Sequence, residues 1–436
     1  MNSMHDDNLL AAAAETLARA TPRLDSDRLA AAVSGLIDRR QRYLDVRQCH
    51  GSPLYVFEPR VLAARAQQFK AAFETYLPGF SCFFAIKSNN CPQVAQTLIG
   101  SGFGLDVSSG RELDNALALG PERVVFSGPA KTIDELELAV CHAETVTVLM
   151  DSFGELSRLE AVAAGKGVRV KAGVRLTTDE NGLWRKFGIP LTDLPRFIAE
   201  AGAAAHVELC GLQFHSSWNM NPDNQTAFIA RLGRTLAGLD AGARRAIRFL
   251  DVGGGFWPTA GEWLQYEATP EGRLSDTIRP GERRPLDHRS FPAAPIDHFA
   301  RCIAEALREH VFPYVECAVC AEPGRWVCHD AMSILLTVVD KKAEDLVITD
   351  GGGNAIGWER FESDYFPVVN LSRPSLTERA CMILGSLCTP HDVWGYAYFG
   401  ESVEPGDVLL IPSQGAYTYS LRQQFIKPIP NVVALD

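Results

Sequence analysis

No apolar run in the chain approaches the roughly 20 residues needed to cross a bilayer. The opening MNSMHDDNLL is acidic and lacks both the basic stretch and the apolar core of a secretion signal, so none is expected. Positive charge is scarce: 42 Lys and Arg against 53 Asp and Glu leave a net −11. A surface of that sign repels nucleic acid and anionic lipid at long range, so neither is an expected partner. The eleven cysteines are odd in number and scattered. The closest pair, Cys317 and Cys320, lies in YVECAVCAEPGR, an apolar run that reads as a buried strand, where a thiol behaves as a small hydrophobe. Neither a disulfide framework nor a zinc or other metal site is expected, and a reducing cytoplasm is the expected location. Repeats and low-complexity tracts are absent. The glycines at 253–255 are not followed by Gly-Lys-Ser/Thr, which excludes a nucleotide P-loop.

What remains is an ordinary globular composition, 46% hydrophobic and 22% charged, over 436 residues, a length that suits two domains. Residues up to about 40 read as two helices. Leu29, Val33, Leu36 and Ile37 share one face of the second, and Asp25 or Ser26 is placed to cap it. A strand pair flanking a turn is expected around Gly51-Ser52-Pro53. From there to about 330, short apolar runs at 82–86, 124–126, 147–150, 168–176, 209–214, 249–252 and 314–320 alternate with helical stretches. Such alternation implies an α/β fold with a parallel sheet, and this many units favour a closed (β/α)8 TIM barrel. The stretch 257–292, rich in Pro, Arg, Glu and Gly, reads as a surface excursion. Beyond 330, runs at 332–339, 346–349, 408–412 and 428–435 predict a mostly β domain. The expected division is a helical extension at 1–45, a barrel at 46–330, and a β-rich domain at 331–436 completed by strands from about 41–57.

Lys87 closes the buried run Cys82-Phe83-Phe84-Ala85-Ile86 and is followed by Ser88-Asn89. A lysine there usually emerges into water; desolvated, its amine becomes a nucleophile toward an aldehyde. Asp251-Val252-Gly253-Gly254-Gly255 is a strand running into three glycines, whose bare backbone suits either a tight turn or a phosphate. His215 ends another strand candidate, where a buried structural histidine is the plain alternative.

Taken together, the motifs resemble the fold-type III pyridoxal-phosphate decarboxylases, the diaminopimelate, ornithine and arginine decarboxylase group related to alanine racemase. Phe84-Ala85-Ile86-Lys87-Ser88-Asn89 is similar to the family's Tyr-Ala-x-Lys-Ala-Asn. Gly104-Leu105-Asp106 through Glu112, Lys186-Phe187-Gly188 after Arg175, His215, the Asp251–Gly255 segment, Ala321-Glu322-Pro323-Gly324-Arg325, Gly385-Ser386-Leu387-Cys388-Thr389-Pro390-His391-Asp392 and Gly415-Ala416-Tyr417 follow in the family's order. The resemblance implies an alanine-racemase-like barrel followed by a β domain, pyridoxal 5′-phosphate as cofactor, and an amino-acid substrate. It implies that Lys87 carries the cofactor as an imine and that Asp106 belongs to the cofactor site. His215 would stack on the ring, and Gly254, Gly255, Gly324, Arg325 and Tyr417 would lie at the phosphate. Glu322 would pair with the pyridine nitrogen, keeping it protonated and the ring a strong electron sink, which favours decarboxylation over racemisation. Cys388 would protonate the product carbon, with Thr389 and Asp392 in the substrate pocket. Both Cys388 and Asp392 would come from the partner subunit, implying a homodimer with shared sites.

The chain departs from the pattern twice. Trp218 stands where the family has a phosphate-holding serine, leaving Ser217 as the substitute. Thr389 is neutral where the family has an acid for a distal ammonium, which argues against diaminopimelate and ornithine and for a modified or carrier-linked amino acid, as in siderophore or other specialised metabolism. A racemase on the same fold and a non-catalytic homologue stay open as alternatives.

Overall fold

The computed structural model describes residues 3–357 and 360–435. The chain divides into two compact units. One comprises Arg60–Thr259 and Ala293–Cys328, and the other is assembled from Met1–Pro59, Ala260–Pro292 and His329–Asp436.

The first unit is a closed eight-stranded parallel barrel. Its strands, in order around the barrel, are Ser81–Ala85, Gly104–Val107, Val124–Phe126, Val146–Met150, Val170–Leu176, Val207–Phe214, Phe249–Asp251 and Ala318–Ala321, the last closing on the first. Seven lie within or beside the apolar runs read from the sequence. The strand Gly104–Val107 was not among them. Phe83, Val125, Leu149, Phe249 and Cys320, from five different strands, pack together as a plug. Gly211 makes room for it: a Cβ there would stand 2.1 Å from the Phe249 ring. Helices cover the outside through apolar faces such as Phe228, Ile229, Leu232 and Leu236 of Asp223–Ala237.

Strand side chains alternate, so on most strands a step of two residues from the level of the plug points the same way one layer higher, toward the strands' C-terminal ends. That step leads from Gly104 to Asp106, Val125 to Ser127, Leu149 to Asp151, Gly173 to Arg175, Gly211 to Gln213, Phe249 to Asp251 and Cys320 to Glu322. A dry apolar layer therefore carries a polar ring above it.

The second unit is built on an eight-stranded sheet. Leu54–Phe57 lies between Met332–Ala343, antiparallel, and Asn431–Ala434, parallel. The two N-terminal helices are Ser3–Ala18 and Ser26–Asp38, and the Asp25 side chain caps the second by accepting from the Arg28 N–H. Two expectations need correction. Residues 40–50 are a helix, Arg40–His50, not a strand, because Tyr43 is the buried anchor and Arg, Gln and His residues keep the rest of the surface in water. The stretch expected as an excursion at 257–292 is structured within this unit: strands Glu262–Gln265 and His288–Phe291 pair antiparallel, and the buried His288 ring stacks on Tyr365 at 3.5 Å. Its polar composition serves internal pairings, such as His288 Nε2 with Glu378 Oε1 at 2.8 Å.

Candidate active site

The first strand ends in a short turn, Ile86–Ser88, that lifts Lys87 over the barrel mouth. Its side chain is 36% exposed, and Nζ stands 3.1 Å from Asp106 Oδ2, whose side chain is wholly buried. The other oxygen of Asp106 accepts from the Ser127 hydroxyl. The amine is thus aimed by an anion from the neighbouring strand.

Glu322, just past the eighth strand, is buried in the same ring. Gln213 Nε2 donates to both of its oxygens, at 3.2 and 3.4 Å. Burial first, then the charges of Asp106 and Asp251, pushes the Glu322 carboxyl well above its ordinary range. A carboxyl in that state calls for a cation or a proton.

His215 follows the sixth strand. Its Nδ1 accepts from the Gly254 N–H at 3.0 Å and stands 3.8 Å from Glu322 Oε2. Burial, and after it the cations Lys87 and Arg175, pull its pKa well below the usual histidine value. The ring is neutral, a flat apolar face with one nitrogen already engaged. Arg175 crosses the Phe187 ring at 4.3 Å and donates to the Ser127 carbonyl.

The glycines are a matter of space. A Cβ on Gly254 would stand 2.4 Å from the Glu322 carbonyl oxygen, and one on Gly255, whose φ is +81°, would stand 2.0 Å from the Ser216 carbonyl. Gly324 faces Ser88 in the same manner, at 2.9 Å from Oγ. Backbone from the sixth, seventh and eighth strand ends thereby packs closely, with no glycine side chain to keep an anion from the main chain. Arg325 lies over the Trp257 ring at 4.4 Å, and Trp257 stacks on the exposed Trp218 at 6.1 Å. Ser217 is half-buried on the same loop.

Lys87, Asp106, His215, Gly254, Gly255, Glu322 and Gly324 are brought together in one unit, with Ser217 and Arg325 on adjoining loops. Cys388, Thr389, Asp392 and Tyr417 belong to the β-rich unit. There Cys388 is exposed on the loop after Glu378–Leu384. Asp392 is buried, and both its oxygens are taken: Oδ1 by the Gly353 N–H and Oδ2 by that of Leu387, at 2.5 and 2.6 Å. Tyr417 sits at φ +56°, in the left-handed region.

The sequence reading assigned no role to Gln213, Asp251, Ser127 or Arg175. A signal existed: each is a polar side chain within or closing an otherwise apolar strand, two residues beyond the level of the plug. Among the described residues, no cluster of His, Cys, Asp or Glu is arranged to hold a metal ion, and no helix is long and apolar enough to cross a membrane.

Residues 61–329 match the family model described as "Pyridoxal-dependent decarboxylase, pyridoxal binding domain". Diaminopimelate decarboxylase from Aquifex aeolicus is 25% identical over 403 residues, covering 87% of this chain and 86% of the relative. That from Pseudomonas fluorescens is 27% identical over 396 residues, covering 86% and 85%. Among solved structures, diaminopimelate decarboxylase from M. jannaschii superposes with a TM-score of 0.75 at 21% identity, covering 89% of this chain and 88% of that one. Lysine/ornithine decarboxylase complexed with putrescine from Vibrio vulnificus gives a TM-score of 0.70 at 21% identity, covering 92% and 98%.

Proposed function

Because this chain belongs to the pyridoxal-dependent decarboxylases and is a pyridoxal-phosphate-dependent amino-acid decarboxylase, we propose that Lys87 is the residue that carries its cofactor. What supports this is a single arrangement: an amine aimed by Asp106 and a buried acid, Glu322, on one polar ring beside a glycine cradle.

In this reading Gly254, Gly255, Gly324 and Arg325 hold the phosphate, with Ser217 and Tyr417 as further contacts. Glu322 faces the ring nitrogen, and His215, kept neutral, offers its flat face to the ring. When bound, pyridoxal phosphate supplies an electron sink for the pair left behind by departing carbon dioxide. Asp106 holds the Lys87 amine as a charge-assisted acceptor and so orients it. Cys388, supplied by a second copy of the chain, delivers the proton to the substrate carbon. Asp392 acts through the loop it fixes, presenting Cys388 and Thr389 rather than touching substrate itself. The active form is then a homodimer, at home in the reducing cytoplasm that free thiols suit.

Thr389 carries the substrate assignment. A neutral side chain offers no counter-ion to a buried distal ammonium, and leaving such a charge unpaired costs several kcal/mol. The substrate is accordingly an amino acid whose distal amine is absent, modified or carrier-linked, as in siderophore or other specialised metabolism. A carbon-dioxide-release screen over L- and D-amino acids, diaminopimelate, ornithine and acylated derivatives tests this. A derivative is expected to be turned over with kcat/KM at least tenfold above diaminopimelate and ornithine; full-rate turnover of either of those defeats the assignment. Lys87→Ala should abolish both the imine absorbance and carbon dioxide release.

A further inference from the structure

Trp218 holds a backbone conformation that bulky side chains avoid. Its φ is +54°, in the left-handed region, where Cβ crowds the following carbonyl. Burial of its own ring does not offset that cost, since Trp218 is 64% exposed. What fixes the turn is the residue after it. The Asn219 N–H donates to the Gly255 carbonyl at 3.0 Å, and the Trp257 N–H donates to the Asn219 carbonyl at 3.3 Å. The buried Asn219 side chain donates from Nδ2 to the carbonyl and the hydroxyl of Ser216, both at 3.1 Å. The loop after the sixth strand is thereby laced to the chain leaving the glycine turn.

The outcome of this lacing is a stack. The Trp218 ring lies on that of Trp257 at 6.1 Å and 26° from parallel, and the inner ring, Trp257, is only 8% exposed. The guanidinium of Arg325 lies over the same Trp257 ring at 4.4 Å. Arg325 follows Gly324 beyond the end of the eighth strand and is half-buried. A guanidinium is planar and sits on a long flexible stem, so a flat indole against it restricts where it points, and stacking consumes none of its N–H groups. The attraction between cation and ring grows as water is excluded from the pair, and a second indole covering the first excludes it.

We propose that Trp257 and Trp218 are positioning residues for Arg325: the two indoles hold its guanidinium in the direction from which it grips the cofactor's phosphate, and Asn219 keeps the outer indole in place. They act through the arginine and not on the reacting atoms. Strain at Trp218 is then the mark of a site whose geometry is imposed by its surroundings. The inference rests on the reading that Arg325 holds the phosphate, and adds that the strength of this contact is set by the stack beneath it.

The test compares pyridoxal phosphate with pyridoxal, which has the same aldehyde and no phosphate. Each is titrated into the full chain freed of cofactor, and the imine absorbance gives the two dissociation constants. That of pyridoxal divided by that of pyridoxal phosphate measures what the phosphate contributes. Arg325→Met should lower this ratio. Trp257→Leu should lower it roughly three- to thirtyfold, through weaker binding of pyridoxal phosphate alone. Trp257→Phe, which keeps a flat face, should restore most of the loss. Trp218→Gly suits the left-handed backbone and so keeps the fold, and should lower the ratio about twofold or more. A wild-type ratio in both Trp257→Leu and Trp218→Gly overturns the proposal, as does an equal loss for both compounds, the sign of general damage to the site. An unchanged ratio in Arg325→Met defeats instead the reading of Arg325 on which the proposal stands. If neither compound gives an imine, the assignment of Lys87 fails, and inorganic phosphate decides. Phosphate should raise the melting temperature of the wild type more than that of Trp257→Leu; an equal rise, or none, overturns the proposal.

Discussion

Lys87 Nζ and Asp106 Oδ2 stand 3.1 Å apart at the barrel mouth, the amine partly open to solvent and the carboxylate closed off. Asp106→Asn keeps the shape and removes the charge. A hydrogen bond to a charged group is worth about 1.5–3 kcal/mol, so kcat/KM is expected to fall roughly ten- to a hundredfold while an imine still forms. Steady-state carbon dioxide release together with the absorbance spectrum checks this; an unchanged rate would remove Asp106 from the site.

Lys131 and Glu155 pair at 2.7 Å with neither side chain exposed, and the same amine donates to the Gly128 and Leu149 carbonyls. Lys131→Met leaves a buried carboxylate alone and should cost about 3–5 kcal/mol. Adding Glu155→Leu should restore much of that loss. Urea unfolding of the two variants gives the comparison, and equal stability of single and double variant would contradict it.

His215 gives a pH dependence of known sign. Its pKa is lowered on folding, so below about 6.5 the unfolded chain takes up a proton that the folded barrel refuses. Stability is therefore lost from this group as pH falls below that value. His215→Gln should show a shallower decline between about pH 6.5 and pH 5, measured by urea midpoints of the cofactor-free chain. A slope equal to that of the wild type would mean that the ring is not buried.

Asp392 holds its loop by accepting two backbone N–H groups. Asp392→Ala strands both donors, at about 1–3 kcal/mol each. The expected result is a lower melting temperature and a changed rate of Cys388 alkylation. If alkylation is unaltered, the loop does not depend on this carboxylate.

The proposed sharing of sites between two copies makes a further prediction. Lys87→Ala and Cys388→Ala chains, each inactive alone, should recover about a quarter of wild-type activity when dissociated and reassociated in equal amounts, because half of the dimers then hold one intact site. No recovery would place all catalytic groups of a site on one chain.

Much of the barrel was legible because parallel strands buried on both faces read as short unbroken apolar runs. The second strand escaped: Gly104-Leu105-Asp106-Val107 has four residues, and two of them, Gly and Asp, are poor strand formers. Its Asp106 was nonetheless found, through motif order. Gln213 was not, and Asp251 was read only as the start of a glycine turn, because a polar residue at a strand end looks the same whether it faces water or the bore. Only closure of the barrel decides which. In the β-rich unit, Glu378–Leu384 was missed because its outward face carries Arg379 and Met382, giving a broken pattern. The helix Arg40–His50 was misread for want of more than one anchor.

The strand Leu54–Phe57 takes one neighbour from Met332–Ala343 and the other from Asn431–Ala434. During synthesis the barrel's last strand emerges more than a hundred residues before that second neighbour. The β-rich unit therefore waits, with an early strand left open along one edge, until almost the whole polypeptide has been made. Loss of even a few residues around 431–434 would leave that edge bare and prone to pairing with the wrong chain.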